Sequence, residues 1–212
     1  MRYRRLSSLG EVSVLGLGCA RLGSLMAART RRENLALIAA AANAGITLFD
    51  TADIYGQGES ERLLGEALKS IDALVVTKAG QRFPFAKSML FPLRGAAMSL
   101  FAYSPRARAA AVAARAKRLP RNYTPEYLRR ALLGSLRRLR REQADVFLLH
   151  SPSAEDLQDG AALDCLSALK QEGLIMGVSC DDQATWPVLL TTNGLRRSRR
   201  PLAQTARTCW LT

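Results

Sequence analysis

Residues 47–60 read TLFDTADIYGQGES. A short apolar run closes on Asp50, Tyr55 follows on a polar loop, and glycines precede a new helical pattern. An apolar strand that hands on through a loop to a helix is half of a strand–helix–strand unit. The flanking stretches show what it belongs to. RRENLALIAAAANAGITLFD (residues 31–50) is a helical pattern, then Gly45, then the strand; AEDLQDGAALDCLSALKQEGLIMGVS (residues 154–179) repeats that arrangement around Gly173. In both, glycine suits the left-handed position that ends a helix, and a short buried strand follows.

Between them lies NYTPEYLRRALLGSLRRLRREQADVFLLH, residues 122–150. Thr124 suits an N-cap and Pro125 a first helical position, and Leu128, Leu132, Leu136 and Leu139 line one face. Arg129, Arg130, Arg137, Arg138, Arg140 and Arg141 fall mostly on the other side and read as a solvated face. The spacing predicts strands near 12–17, 46–50, 73–77, 144–149 and 174–179. Helices are predicted over 32–44, 59–70, 124–141 and 155–172. Strands alternating with helices imply an α/β fold with parallel pairing, as an open doubly wound sheet or a closed barrel. GLGCARLG, after the first strand, has the wrong spacing for a dinucleotide-binding glycine motif and lacks its acidic partner.

The charge is +13, yet it is concentrated. Residues 79 to 125 hold nine Lys/Arg and no acid, and residues 183 to 212 hold five arginines and no acid. Setting those fourteen aside leaves 17 basic residues against 18 acids, so the body is near neutral and a general nucleic-acid face is not expected. No apolar run reaches the roughly 18 residues a membrane span needs. The N-terminus lacks the apolar core of a signal peptide, and the chain reads as cytoplasmic. Cys19, Cys165, Cys180 and Cys209 are far apart, with one histidine in the chain, and read as small buried hydrophobes rather than a metal or disulfide framework.

Asp50, Lys78 and His150 end successive predicted strands, and Tyr55 sits on the loop after Asp50. In a parallel α/β protein those strand ends share one face, where active sites are built. The four types suit hydride addition to a carbonyl, in which negative charge builds on oxygen and needs a proton donor. A tyrosine titrates near ~10, too high for easy donation. An adjacent Lys⁺ favours tyrosinate, and a carboxylate beside the lysine holds it charged and in place. A histidine orients the carbonyl oxygen or assists proton transfer.

GITLFDTADIYGQGESERLLGEAL resembles the signature of the aldo-keto reductases. LVVTKAG, TPEYLRRALLGSLRRLRREQADVFLLHSP and LIMGVS resemble its later blocks, in the family's order. The likeness runs over about residues 1 to 180 apart from the basic insertion. It implies a (β/α)8 barrel, of which this chain would carry about five βα units over residues 1–182, with a basic insertion at 82–121 and a divergent Arg-rich tail at 183–212. It also implies reduction of aldehydes or ketones with NADPH, and a catalytic set of Asp50, Tyr55, Lys78 and His150. Gly18 and Cys19 resemble the loop beneath the nicotinamide, and Ser179 the residue that binds its carboxamide. Cys180 stands where the family has asparagine. The shortened barrel leads to an expectation of impaired, C-terminally truncated catalysis and of self-association through open sheet edges. A non-catalytic binding module on the same fold is the alternative. The insertion is expected to hold a helix over the site mouth or on an anionic surface.

Overall fold

The computed structural model describes residues 1–6, 9–24, 29–82 and 119–180, with residues 178–180 described by backbone alone. The expectations for most of the insertion and for the Arg-rich tail lie outside the described residues. Seven strands are described: β1 (Tyr3–Arg5), β2 (Glu11–Ser13), β3 (Gly16–Gly18), β4 (Leu48–Asp50), β5 (Leu74–Ala79), β6 (Ala144–Leu149) and β7 (Ile175–Cys180). The helices are α1 (Arg31–Asn43), α2 (Glu59–Ala67), α3 (Pro125–Leu139) and α4 (Ala161–Gln171).

Strands β3 to β7 form one parallel sheet in sequence order, each pairing with the next. A doubly wound sheet reverses its strand order at a switch point, whereas a barrel steps one way throughout. The order here is that of a barrel, and the described sheet is five adjacent strands of one.

Side chains alternate across each strand. Leu74, Val76, Val146 and Leu148 face inward, where Val12 of the β1–β2 hairpin joins them with Leu6 and Leu9. Phe49 and Val75 face outward and pack with Ile38 of α1 and Leu63 and Leu64 of α2. Phe147 and Leu149 pack outward on Leu128 and Leu132 of α3 and on Leu163 and Leu166 of α4. Thr30 and Glu33 cap α1 reciprocally: the Glu33 amide donates to the Thr30 hydroxyl, and Glu33 accepts from the Thr30 amide. Gly45 and Gly173 take φ of +86° and +76°, the left-handed turns expected of them. No helix among the described residues is long and apolar enough to cross a membrane.

Three expectations need correction. The strand near 12–17 is two strands, because Ser13 turns the chain. Its hydroxyl donates to the Leu15 carbonyl and accepts from the Thr47 amide, leaving Val14 and Leu15 exposed. The helix over 155–172 is a 3₁₀ turn (Glu155–Leu157) and then α4, separated at Gly160 with φ +73°. Thr124 is the N-cap residue of α3 and Pro125 its first residue, as expected, with the Thr124 hydroxyl donating to Asn122. Not all six arginines of that helix are solvated, since Arg138 pairs with buried Glu61 and Arg141 with Asp145 and the Ala73 carbonyl.

Candidate active site

Register and alternation bring the strand-end residues together. Gly18 lies beside Asp50, and Lys78 stands two residues beyond Val76, the β5 partner of Asp50. Asp50 shares the inward face of Leu48, Lys78 that of Leu74 and Val76, and His150 that of Val146 and Leu148. The Lys78 ammonium donates to both carboxylate oxygens of Asp50 at 2.6 and 2.7 Å. Lys78 is only 5% exposed, so the pair is a charged link at the inner wall.

Tyr55 reaches this pair from a turn that local chemistry makes sharp. Gly56, Gln57 and Gly58 all have positive φ, at 56°, 55° and 84°. A side chain at 56 would meet the Gly23 carbonyl oxygen at 2.9 Å, so only glycine fits there. The loop before it is tied to β5: the Thr51 amide donates to the Val76 carbonyl and the Asp53 amide to the Lys78 carbonyl. The Lys78 ammonium thereby lies 5.5 Å from the centre of the Tyr55 ring. The Tyr55 and His150 rings meet edge to face, with centroids 5.7 Å apart at 89°. All four expected catalytic side chains thus converge.

His150 is held by a residue that the sequence reading passed over. The Tyr123 hydroxyl donates to the His150 carbonyl at 2.8 Å, and the Tyr123 ring lies over Gly80, where a Cβ would come within 2.1 Å of it. His150 is 8% exposed, and its Nδ1 has no hydrogen-bond partner among the described residues. Burial, reinforced by the Lys78 ammonium and opposed by Asp50, depresses its pKa to about 4. Near neutral pH the ring is uncharged.

Gly18 ends β3 with open space over its Cα, where a Cβ would meet nothing within 4 Å. Cys19 is fully buried, and its thiol donates to the Leu17 carbonyl. Burial first, and Asp50 next, push its pKa up to about 12. The Cys19 amide donates to the Asp50 carbonyl, and its own carbonyl accepts from the Ser60 hydroxyl. Register places Ser179 beside Leu148 and Cys180 beside Leu149 on the strand that leads to His150; their side chains lie outside the described residues.

Sequence reasoning also missed a buried polar network behind the site. Glu61, fully buried on α2, accepts from the Thr77 hydroxyl and from Arg138 Nε, both at 2.6 Å. Ser60 shares a hydrogen bond with Thr51 and donates to the Cys19 carbonyl. An acid and a serine among Leu63 and Leu64 were the available signal.

The Aldo/keto reductase family model matches residues 14–188. The chain is 28% identical over 178 residues to the uncharacterized oxidoreductase YqkF of Bacillus subtilis, covering 82% of this chain and 47% of that protein. It is 41% identical over 93 residues to the uncharacterized oxidoreductase Rv2298 of Mycobacterium tuberculosis, covering 41% of this chain and 28% of that one. Among solved structures, the holo form of aldo-keto reductase AKR11C1 from Bacillus halodurans superposes with a TM-score of 0.63 at 28% identity, covering 85% of this chain and 50% of that one. The chain therefore spans half or less of the length of these relatives.

Proposed function

Because the chain belongs to the aldo/keto reductase family, we propose that its site reduces an aldehyde or ketone to the alcohol with NADPH, Tyr55 giving the proton. One observation carries the reading: the Tyr55 ring lies 5.5 Å from the Asp50-held ammonium of Lys78 and meets the uncharged His150 ring edge to face. A bound NADPH would supply the hydride for the carbonyl carbon. The Tyr55 hydroxyl then protonates the oxygen, and the Lys78 ammonium stabilises the tyrosinate left behind. Asp50 keeps Lys78 charged and aimed. The uncharged His150 donates an N–H to the carbonyl oxygen without adding a second positive charge beside Lys78.

The residues present fit the nicotinamide end of such a cofactor. Bare Gly18 leaves room for a flat ring next to Asp50, and the Cys19 backbone extends that floor. Ser179 and Cys180 are proposed to meet the carboxamide. The described residues supply the proton-transfer side of the reaction and little that would grip the rest of a dinucleotide. The 212 residues alone are therefore proposed to turn over slowly. A non-catalytic binding role would give no use to an ammonium held beside Tyr55. The test is consumption of NADPH with a reactive aromatic aldehyde by wild type and by Tyr55→Phe. Slow turnover that disappears in the variant supports the reading; equal rates in both overturn it.

A further inference from the structure

Residues 120–123, where the basic insertion ends, do more than connect. The Arg82 amide donates to the Pro120 carbonyl and the Asn122 amide to the Gly80 carbonyl, so this segment runs alongside the end of β5. Gln81 and Arg121 form an antiparallel bridge there, and the Arg121 guanidinium meets Asp156 at 2.9 Å. Asp156 in turn accepts from the amide and hydroxyl of Ser153, on the loop that follows His150. Tyr123 comes next, 8% exposed, just before α3 begins.

The Tyr123 side chain reaches both strand ends that carry the reacting groups. Its ring lies over Gly80, two residues beyond Lys78, and its hydroxyl donates to the His150 carbonyl at 2.8 Å. Gly80 has φ of +127°, and a Cβ there would lie 2.1 Å from the ring, so this close seating depends on glycine. The His150 amide donates to the Ala79 carbonyl at 2.8 Å. His150 is thus held by β5 on its amide side and by Tyr123 on its carbonyl side, just before Ser151 turns the chain with φ +55°. We propose that Tyr123 is a positioning residue: by joining the end of β5 to the end of β6 it fixes the spacing of Lys78 and His150, and so seats the His150 ring against Tyr55. A ring that must meet a carbonyl oxygen tolerates little displacement, since a shift of about 1 Å can cost roughly 10²-fold in rate. The consequence for catalysis rests on the carbonyl-reduction reading; the clamp itself does not.

His150 is the chain's only histidine, so NMR of the untagged 212-residue chain identifies its imidazole C–H resonances directly. The Tyr55 ring packs against His150, and ring currents make those resonances a gauge of the contact. Tyr123→Phe keeps the ring over Gly80 and removes only the hydroxyl. Tyr127→Phe is the control, because it removes a nearby hydroxyl that donates to the Gln81 carbonyl instead. At neutral pH the His150 resonances are expected to shift in Tyr123→Phe and to keep their wild-type positions in Tyr127→Phe. Unmoved resonances in Tyr123→Phe, or equal shifts in both variants, overturn the clamp. If Tyr123→Phe does not fold, the wild-type chain decides. In mixed H2O and D2O a firmly donated Tyr123 hydroxyl exchanges slowly and gives a split ring-Cζ signal, and a single averaged signal overturns the proposal. NADPH consumption is read on the same samples, and kcat is expected to fall by up to about 10²-fold in Tyr123→Phe. Shifted resonances with reduction at the wild-type rate overturn the positioning role. Shifted resonances with no reduction by wild type sink only the enzymatic reading, and wild-type reduction with unmoved resonances sinks only the clamp.

Discussion

Tyr55 and His150 touch through ring edges, so their contributions can be separated by substitutions that keep shape. Tyr55→Phe keeps the ring against His150 and removes only the transferable proton. Loss of a positioned general acid costs roughly 10²–10⁴-fold in rate, and kcat is expected to fall by that factor with little change in KM. The histidine makes a prediction about pH. Its folded pKa of about 4 lies below the ordinary 6.5, so between these values the unfolded chain binds a proton that the folded chain does not. Stability therefore falls as pH drops from about 6.5 toward 4, and thermal melts of His150→Gln lose that part of the acid slope. Equal acid slopes in the two proteins would contradict the burial argument. Asp50, Lys78 and His150 were legible because a period of two and a common strand end place them together before any coordinates are known, with Tyr55 on the loop that follows the first of them. Glu61 was not legible. Its partner Arg138 is distant in sequence, and a polar residue on a helix looks the same whether it faces water or a buried guanidinium.

At the scale of elements, α2 and α3 pack through a glycine and an ion pair. A Cβ at Gly65 would come within 2.5 Å of the Arg138 carbonyl oxygen, which is backbone and cannot rotate away. Gly65→Ala is expected to destabilise by about 1–3 kcal/mol through forced separation of the helices, read by denaturant unfolding. An unchanged midpoint would mean the helices pack further apart. Arg138→Met strands the fully buried Glu61 carboxylate. Its cost is about 3–5 kcal/mol, whereas Arg138→Met with Glu61→Leu recovers most of it. A double variant no better than the single one would show that Thr77 and packing, not charge, dominate. Helices and strands were read from periodicity, and the ends Gly45, Gly173 and Pro125 fell where expected. Errors arose where side chains bond to backbone: Ser13 splits a continuous apolar run, and Asp159 with Gly160 breaks a helical one. The Thr30–Glu33 capping box was spelled out in the sequence and passed over.

Across the whole molecule, the sequential order of five parallel strands settled what alternation left open, since open and closed sheets share the same strand–helix rhythm. The chain spans half or less of the length of its relatives, and the described site is proposed to meet mainly the reacting end of a dinucleotide. Fluorescence titration of the 212-residue chain with NADPH is expected to give affinity weaker than micromolar; micromolar binding would show that these residues hold more of the cofactor than described. The central claim is that this constellation passes a proton to a carbonyl oxygen as hydride reaches its carbon. Mass spectrometry of the alcohol formed from an aldehyde and NADPH deuterated at the reactive nicotinamide carbon tests it, and is sensitive enough for slow turnover. The wild-type chain is predicted to give alcohol carrying the deuterium on the carbinol carbon, at a yield that falls roughly 10²–10⁴-fold in Tyr55→Phe. No labelled alcohol, or the same yield from both proteins, would contradict it.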